Sequence, residues 1–281
     1  MCTRGRWLTG RFKEGGGMVE EGKKGIVSFD MDMTLLDHKD WQIPASAKKA
    51  LEKLRARHYI VIATGRDMDA KYSEGLLEMV RPDAVIHLNG TKITVGGELI
   101  YEHRMDPGLV KGLLEFTEGK PFAMGLSMGA EDYFMNPQYV VRHDQVRFGR
   151  SDRNFQDPWK LLGLPVRAMA YIGGEAGARQ VEKAFPQLKL PMFASRKGAD
   201  VVEKEASKAE GLKRVCEYFG VPFGQTVAFG DSMNDYEVIR AAGVGVAMGN
   251  GDEELKRAAD YVTANIEDDG VWNACVALHL F

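Results

Sequence analysis

One stretch limits the folds open to this chain more than any other. Ile26-Val27-Ser28-Phe29 runs directly into Asp30-Met31-Asp32-Met33-Thr34-Leu35-Leu36. A short apolar run of this kind, bounded by polar residues, predicts a strand buried on both faces of a parallel sheet. Open α/β sheets place their ligands outside the carboxyl ends of such strands, so Asp30 and Asp32 are expected at a binding edge. Two carboxylates this close repel one another, and a divalent cation relieves the repulsion. An ordinary strand-to-loop exit accounts for the same two aspartates, because Asp is common in turns.

With 281 residues the chain is long enough for one large domain or two ordinary ones. The net charge of −3 gives no sign of a polyanion-binding surface, and no stripe of basic residues with interleaved aromatics suggests nucleic acid. No apolar run is long enough to span a bilayer. Cys2, Cys216 and Cys275 are scattered and form no CxxC pair. That argues against a disulfide framework or a cysteine zinc site and fits a cytoplasmic protein. Residues 1–24 combine Arg4, Arg6, Arg11 and Lys13 with Gly15-Gly16-Gly17 and lack an apolar signal-peptide core. They predict a disordered tail, with Met18 as a second candidate start.

The rhythm beyond the opening strand is strand, helix, strand. Ala45 to Arg57 predicts a helix, Tyr59 to Ala63 a strand ending in Thr64-Gly65-Arg66-Asp67, Met68 to Val80 a helix and Asp83 to Leu88 a strand. This is the βαβ pattern of a parallel sheet. Asn89-Gly90 then marks a turn, and Lys92 to Val95 with Glu98 to Tyr101 reads as a hairpin around Gly96-Gly97. Through Gly198 the order of elements is that of an α+β unit with an antiparallel sheet. The βαβ pattern returns near Ala199: Ser207-Lys208-Ala209-Glu210 opens a helix, and Thr226 to Gly230 is a strand entering Asp231-Ser232-Met233-Asn234-Asp235. The expected architecture is α/β: a Rossmann-like parallel-sheet core over 25–88 and 199–281, with an α+β domain inserted at 89–198.

Polar clusters thus stand at the ends of core strands or the start of a core helix: Asp30/Asp32/Thr34, Thr64/Arg66, Lys208, and Asp231/Asn234/Asp235. In order and spacing they resemble the four motifs of the haloacid dehalogenase-like (HAD) hydrolases. In particular they resemble the Cof-like phosphatases, whose C2 cap (type IIB) lies between the second and third motifs. Asp30-Met31-Asp32-Met33-Thr34 matches Asp-x-Asp-x-Thr, Thr64 the strand-closing hydroxyl, Lys208 the helix-opening lysine, and Gly230 to Asp235 the pattern Gly-Asp-x-x-Asn-Asp. Asn89-Gly90 and Met248-Gly249-Asn250 resemble recurrent stretches of the same group. Met33 departs from the pattern, which usually has Gly there; a side chain at that position is placed to narrow the entrance or touch substrate.

The resemblance implies roles. Asp30 is the nucleophile that forms an aspartyl-phosphate, dividing one hard hydrolysis into two easier steps. Asp32 is the acid/base. Mg²⁺ is held by Asp30, the backbone carbonyl of Asp32 and Asp231, with Asp235 and Asn234 completing the shell or orienting Lys208 and the phosphate. Thr64, Gly65, Lys208 and Asn234 bind phosphoryl oxygens, helped by the helix N-terminus beside Lys208. Simpler readings stand beside these. Lys208 alone is a solvated helix residue, although its position about 23 residues before Asp231 leaves room for one helix and one strand. Asn234 and Asp235 alone are an N-cap. Arg66 reads as structural or substrate-facing. The histidines lack ligand spacing and read as surface or satisfied residues. The cluster Arg142, His143, Asp144 and Arg147 reads as a solvated helix face.

The expected function is a cytoplasmic Mg²⁺-dependent phosphatase of small phosphorylated metabolites, sugar phosphates among them. The alternatives are a phosphotransferase or phosphomutase of the same superfamily, or a non-catalytic regulator that binds phosphometabolites.

Overall fold

The computed structural model describes residues 25–70, 73–193 and 195–281, so the tail expected at 1–24 lies outside the described residues. Strand β1 (Gly25–Phe29) is buried along its whole length. Helix α1 (Ala45–Leu54) leads to β2 (His58–Ala63), α2 (Leu76–Val80) and β3 (Ala84–His87), and the hairpin β4 (Lys92–Val95) and β5 (Glu98–Glu102) follows. The next segment holds α3 (Pro107–Thr117), β6 (Ala123–Met128), β7 (Glu131–Met135), α4 (Pro137–Phe148), β8 (Met169–Ile172), α5 (Glu175–Ala184), β9 (Leu188–Lys189) and β10 (Gly198–Glu203). The chain ends with α6 (Lys208–Phe219), β11 (Thr226–Gly230), α7 (Tyr236–Ala241), β12 (Val244–Ala247), α8 (Glu253–Ala258), β13 (Tyr261–Val262) and α9 (Gly270–Ala277).

The strands form two sheets, β13-β12-β11-β1-β2-β3-β4-β5 and β7-β6-β8-β10-β9. In the first sheet β1 lies parallel between β2 and β11. Its side chains alternate between two cores: Val27 and Phe29 pack with Leu51, Leu54 and Ala274, whereas Ile26 packs with Tyr59, Leu212 and Val215. Burial on both faces is why the sequence reads as an unbroken apolar run. The chain moves from β1 toward β2 and β3 on one side and returns through β11 and β12 on the other. The strand order therefore reverses between β1 and β11, the usual place for a ligand crevice in an open sheet.

Sheet membership does not follow the expected boundaries at 89 and 198. The β4–β5 hairpin continues the first sheet, pairing antiparallel with β3 through Ile86 and Ile93. Strand β10, most of which falls in the stretch expected to belong to the core, pairs antiparallel with β8 and β9 in the second sheet. The second sheet and its connections span about 103 to 203. The two passages between sheets are tied together where His103 Nε2 pairs with Glu203. The helix expected from Met68 shrinks to Leu76–Val80. Asp67 takes the Asp69 N–H, and the Met68 N–H goes to His87 Nδ1 at 3.1 Å, so these turns satisfy their backbone locally instead of entering the helix.

Candidate active site

The motif residues arrive from four places along the sheet edge. Asp30 leaves β1, and its N–H still bonds Phe229 O of β11 at 2.9 Å. The chain then turns back at once, with the N–H groups of Leu35 and Leu36 both reaching Met31 O at 3.0 and 2.7 Å. That turn sends the Asp30 and Asp32 side chains to different partners. Met33 occupies it with φ 59, left-handed backbone that favours glycine. Its carbonyl is fixed by Asn250 Nδ2 at 2.8 Å, and its side chain packs on the core beside β1. Met33 thus bears a conformation that glycine adopts without strain, and the side chain is tied to core packing.

Lys208, the first residue of α6, is completely buried. Ser207 caps the helix by accepting the Glu210 N–H at 3.1 Å, and Nζ points back across the sheet edge. It donates to Asp30 Oδ1 at 2.6 Å, Asp235 Oδ1 at 2.7 Å and Asn234 Oδ1 at 3.2 Å. A buried ammonium with three acceptors is fully satisfied. Burial favours loss of its proton, but Asp235 and Asp30 outweigh that and hold Lys208 above the ordinary lysine range.

Asp231 follows β11 and accepts from Thr34 Oγ1 at 3.3 Å. Asp235 turns back through a capping box with Ser232, its Oδ2 accepting the N–H groups of Asp231 and Ser232, each at 3.1 Å. Asp30, Asp231 and Asp235 bring carboxylate oxygens within 4.8 Å of one another. Three buried carboxylates share one ammonium. Burial, with Asp235 and Asp32 nearby, pushes Asp30 up to about 7 against the pull of Lys208. Burial, Asp30 and Asp235 likewise raise Asp231 well above its ordinary value. A cluster of hard oxygen donors carrying surplus negative charge fits a divalent cation such as Mg²⁺. Both Asp235 oxygens are already engaged, which suits orienting Lys208 and the loop better than direct ligation. The Asp32 carboxylate stands apart from the cluster, leaving only its backbone carbonyl for the expected ligand role.

The Asp32 side chain is held elsewhere. Arg66 Nε donates to Oδ2 at 2.6 Å, Arg66 Nη2 to Oδ1 at 2.5 Å, and His38 Nε2 to Oδ1 at 2.6 Å. Burial raises its proton affinity, but the Arg66 and His38 hydrogen bonds overcome this and hold the carboxyl well below the usual range. His38 stacks on Trp41 and, through Nδ1, accepts from Arg147 Nη2 of α4 at 3.3 Å. The sequence left Arg66 open and His38 and Arg147 peripheral; the fold places Arg66 and His38 on Asp32, with Arg147 one step away on His38. Asp144 of the same cluster is buried against Arg153 and Ser151 and does not join them.

Thr64 follows β2 directly, with its Oγ1 accepting the Arg66 N–H at 3.1 Å. Gly65 leaves room for a close approach: a Cβ there would sit 2.8 Å from Asp200 Oδ2, so any side chain would displace that carboxylate. Asn89, read from sequence as a turn, bridges two polar groups. It takes Asn234 Nδ2 on Oδ1 at 3.1 Å and donates Nδ2 to Asp200 Oδ2 at 2.7 Å. Asp200 carried no sequence signal, because it sits alone on β10 of the other sheet. A second acidic group, Asp67 and Asp69 near His87, is neutralised by Lys92, which pairs with both aspartates and anchors the loop after β2.

Comparison with known proteins shows the family of the chain. A family model described as haloacid dehalogenase-like hydrolase matches residues 27–275. The chain is 32% identical over 262 residues to YkrA of Bacillus subtilis (strain 168), which carries a phosphatase designation; the match covers 91% of this chain and 98% of that protein. It is 26% identical over 264 residues to 5-amino-6-(5-phospho-D-ribitylamino)uracil phosphatase YitU of the same organism, covering 89% and 96%. Among solved structures, the HAD subclass IIB sugar phosphatase BT4131 superposes with a TM-score of 0.83 at 29% identity, covering 92% of this chain and all of that one. No helix among the described residues is long and apolar enough to cross a membrane.

Proposed function

Since this chain belongs to the haloacid dehalogenase-like hydrolases and is a phosphatase of small phosphorylated substrates, we propose that it is Mg²⁺-dependent, works through an aspartyl-phosphate on Asp30 and takes sugar phosphates. The observation that carries this reading is the buried Lys208 joining Asp30 to the Asp231/Asp235 loop. YitU and BT4131, named for a phosphoribityl compound and for sugar phosphates, support the substrate class.

Asp30 attacks phosphorus and the bond to the leaving oxygen breaks, while Asp32 gives that oxygen a proton. Water then attacks phosphorus, Asp32 takes its proton, and the bond to Asp30 breaks to release phosphate. Lys208 and Thr64 bind phosphoryl oxygens, and Gly65 allows the backbone to come close. Asp30 and Asp231, with the Asp32 backbone carbonyl, would hold a divalent cation, which would offset the charge of the phosphoryl group and the carboxylates. To carry a proton, Asp32 must be released by Arg66 and His38, which hold it ionised. We further assign the second sheet and its helices as an inserted cap that closes over the site and excludes water, and the cytoplasm as the compartment.

Phosphate release from p-nitrophenyl phosphate, followed with Mg²⁺ and with EDTA, tests the reading. Wild type is expected to be active with the metal and silent in EDTA, and Asp30→Asn silent in both. Wild type and Asp30→Asn equally inert across a broad panel of phosphate esters would remove it.

A further inference from the structure

We propose that Asp200 is a specificity-determining residue whose carboxylate accepts hydrogen bonds from hydroxyl groups of the leaving alcohol. The protein would then favour phosphate esters of polyhydroxylated alcohols over esters whose leaving group has none. This rests on the phosphatase reading above and adds how the alcohol is recognised.

Asp200 belongs to β10 in the second sheet, yet its side-chain neighbours belong to the first. Oδ2 accepts Asn89 Nδ2 at 2.7 Å and lies over Gly65 at the end of β2. Burial pushes Asp200 up to about 6, against the hydrogen bonds of Asn89 and Asn234 and the charge of Lys208, and Asp32 lies near enough to add to the rise. It therefore stands beside the groups assigned to phosphoryl binding and to the leaving oxygen. The surrounding residues are shut away: Asn89 is 3% exposed, Thr64 1% and Lys208 0%. Asp200 keeps part of its surface open. With two donors, Asn89 on Oδ2 and Asn234, the partly exposed carboxylate keeps an oxygen with lone pairs left to accept.

Charge narrows what can occupy that oxygen. A carboxylate repels a phosphoryl dianion, so Asp200 cannot serve the oxygens that Lys208 and Thr64 bind. Its favourable neighbour is a hydrogen-bond donor on the rest of the substrate, next to the oxygen that Asp32 protonates. Hydroxyls on the carbons after the ester oxygen fit this position. A site built to accept from a hydroxyl rejects an analogue without one, because the buried polar groups are then left unpaired. The Asn89 bond fixes the carboxylate before substrate arrives, which limits the ordering cost of binding.

The test compares kcat/KM for hexitol 6-phosphates, pentitol 5-phosphates and hexose 6-phosphates with kcat/KM for p-nitrophenyl phosphate, in wild type, Asp200→Ala and Asp200→Asn. Wild type is expected to prefer at least one hydroxylated ester. In Asp200→Ala the ratio of the best hydroxylated ester to p-nitrophenyl phosphate is expected to fall roughly 10- to 100-fold, mainly through KM. Asp200→Asn keeps the shape and one acceptor and is expected to fall between the two. A purely structural role lowers both kcat/KM values together and leaves the ratio unchanged; that result overturns the inference. So does a wild type that prefers none of the hydroxylated esters. No phosphate release from any compound would overturn the phosphatase reading itself, and this inference with it.

Discussion

The metal-free protein is expected to be stabilised by removing its own nucleophile, and by an amount set by pH. Asp30 is 5% exposed and held up to about 7, against an ordinary value of 3.8. Between those two pH values the folded chain keeps a proton that the unfolded chain has lost. Stability linked to Asp30 is therefore complete below about pH 4 and is lost as pH rises through 7. About three pH units at about 1.4 kcal/mol each amount to roughly 4 kcal/mol by pH 8. Asp30→Asn keeps the shape and the acceptor for Lys208 but carries no charge. In EDTA it is expected to match wild type near pH 4 and to exceed it by roughly 4 kcal/mol at pH 8. For a chain of this size that is roughly 8–16 °C in Tm. The low-pH losses tied to Asp32 and Asp67, both held below the ordinary carboxylate range, affect both proteins alike and cancel in the comparison. Thermal melts at half-unit pH steps read the difference directly. A constant offset, or no gain at pH 8, would refute the account of Asp30 as a buried carboxylate in charge conflict. Added Mg²⁺ is expected to stabilise wild type more as pH rises, because the cation competes with protons for the same oxygens.

Two further substitutions probe the surrounding network. Lys208→Met leaves Asp30, Asp231 and Asp235 without their ammonium and is expected to cost about 3–5 kcal/mol at pH 8 without metal. The cost should shrink toward pH 5 as Asp30 takes up its proton; urea melts that show a pH-independent loss would contradict this. Arg66→Ala removes the bidentate partner of Asp32 and is expected to raise the pH at which Asp32 gives up its proton. The alkaline limb of the kcat/KM profile should move to higher pH, and an unmoved limb would count against Asp32 as the acid.

The sequence by itself determined the parallel core of the first sheet and the chemical identity of its edge. Apolar runs at Ile26, Tyr59 and Thr226 could only be strands buried on both faces, and each delivers its polar residues to the same edge because parallel strands all point one way. That logic placed Asp30, Thr64 and Asp231 near one another without coordinates, and the resemblance to the four motifs added Lys208, Asn234 and Asp235. Tertiary structure alone decided what has no local pattern. The turn after β1 separates Asp32 from the acidic cluster and hands it to Arg66 and His38, a pairing across 34 residues that no periodicity encodes. The β4–β5 hairpin and β10 could each have joined either sheet, because strand propensity does not name a partner; pairing with β3 and with β8 settled them. Asp200 is the clearest case. A lone aspartate on a strand looks like any solvated residue, and only the folding of one sheet's strand against the other sheet's edge brings it to Asn89 and Gly65.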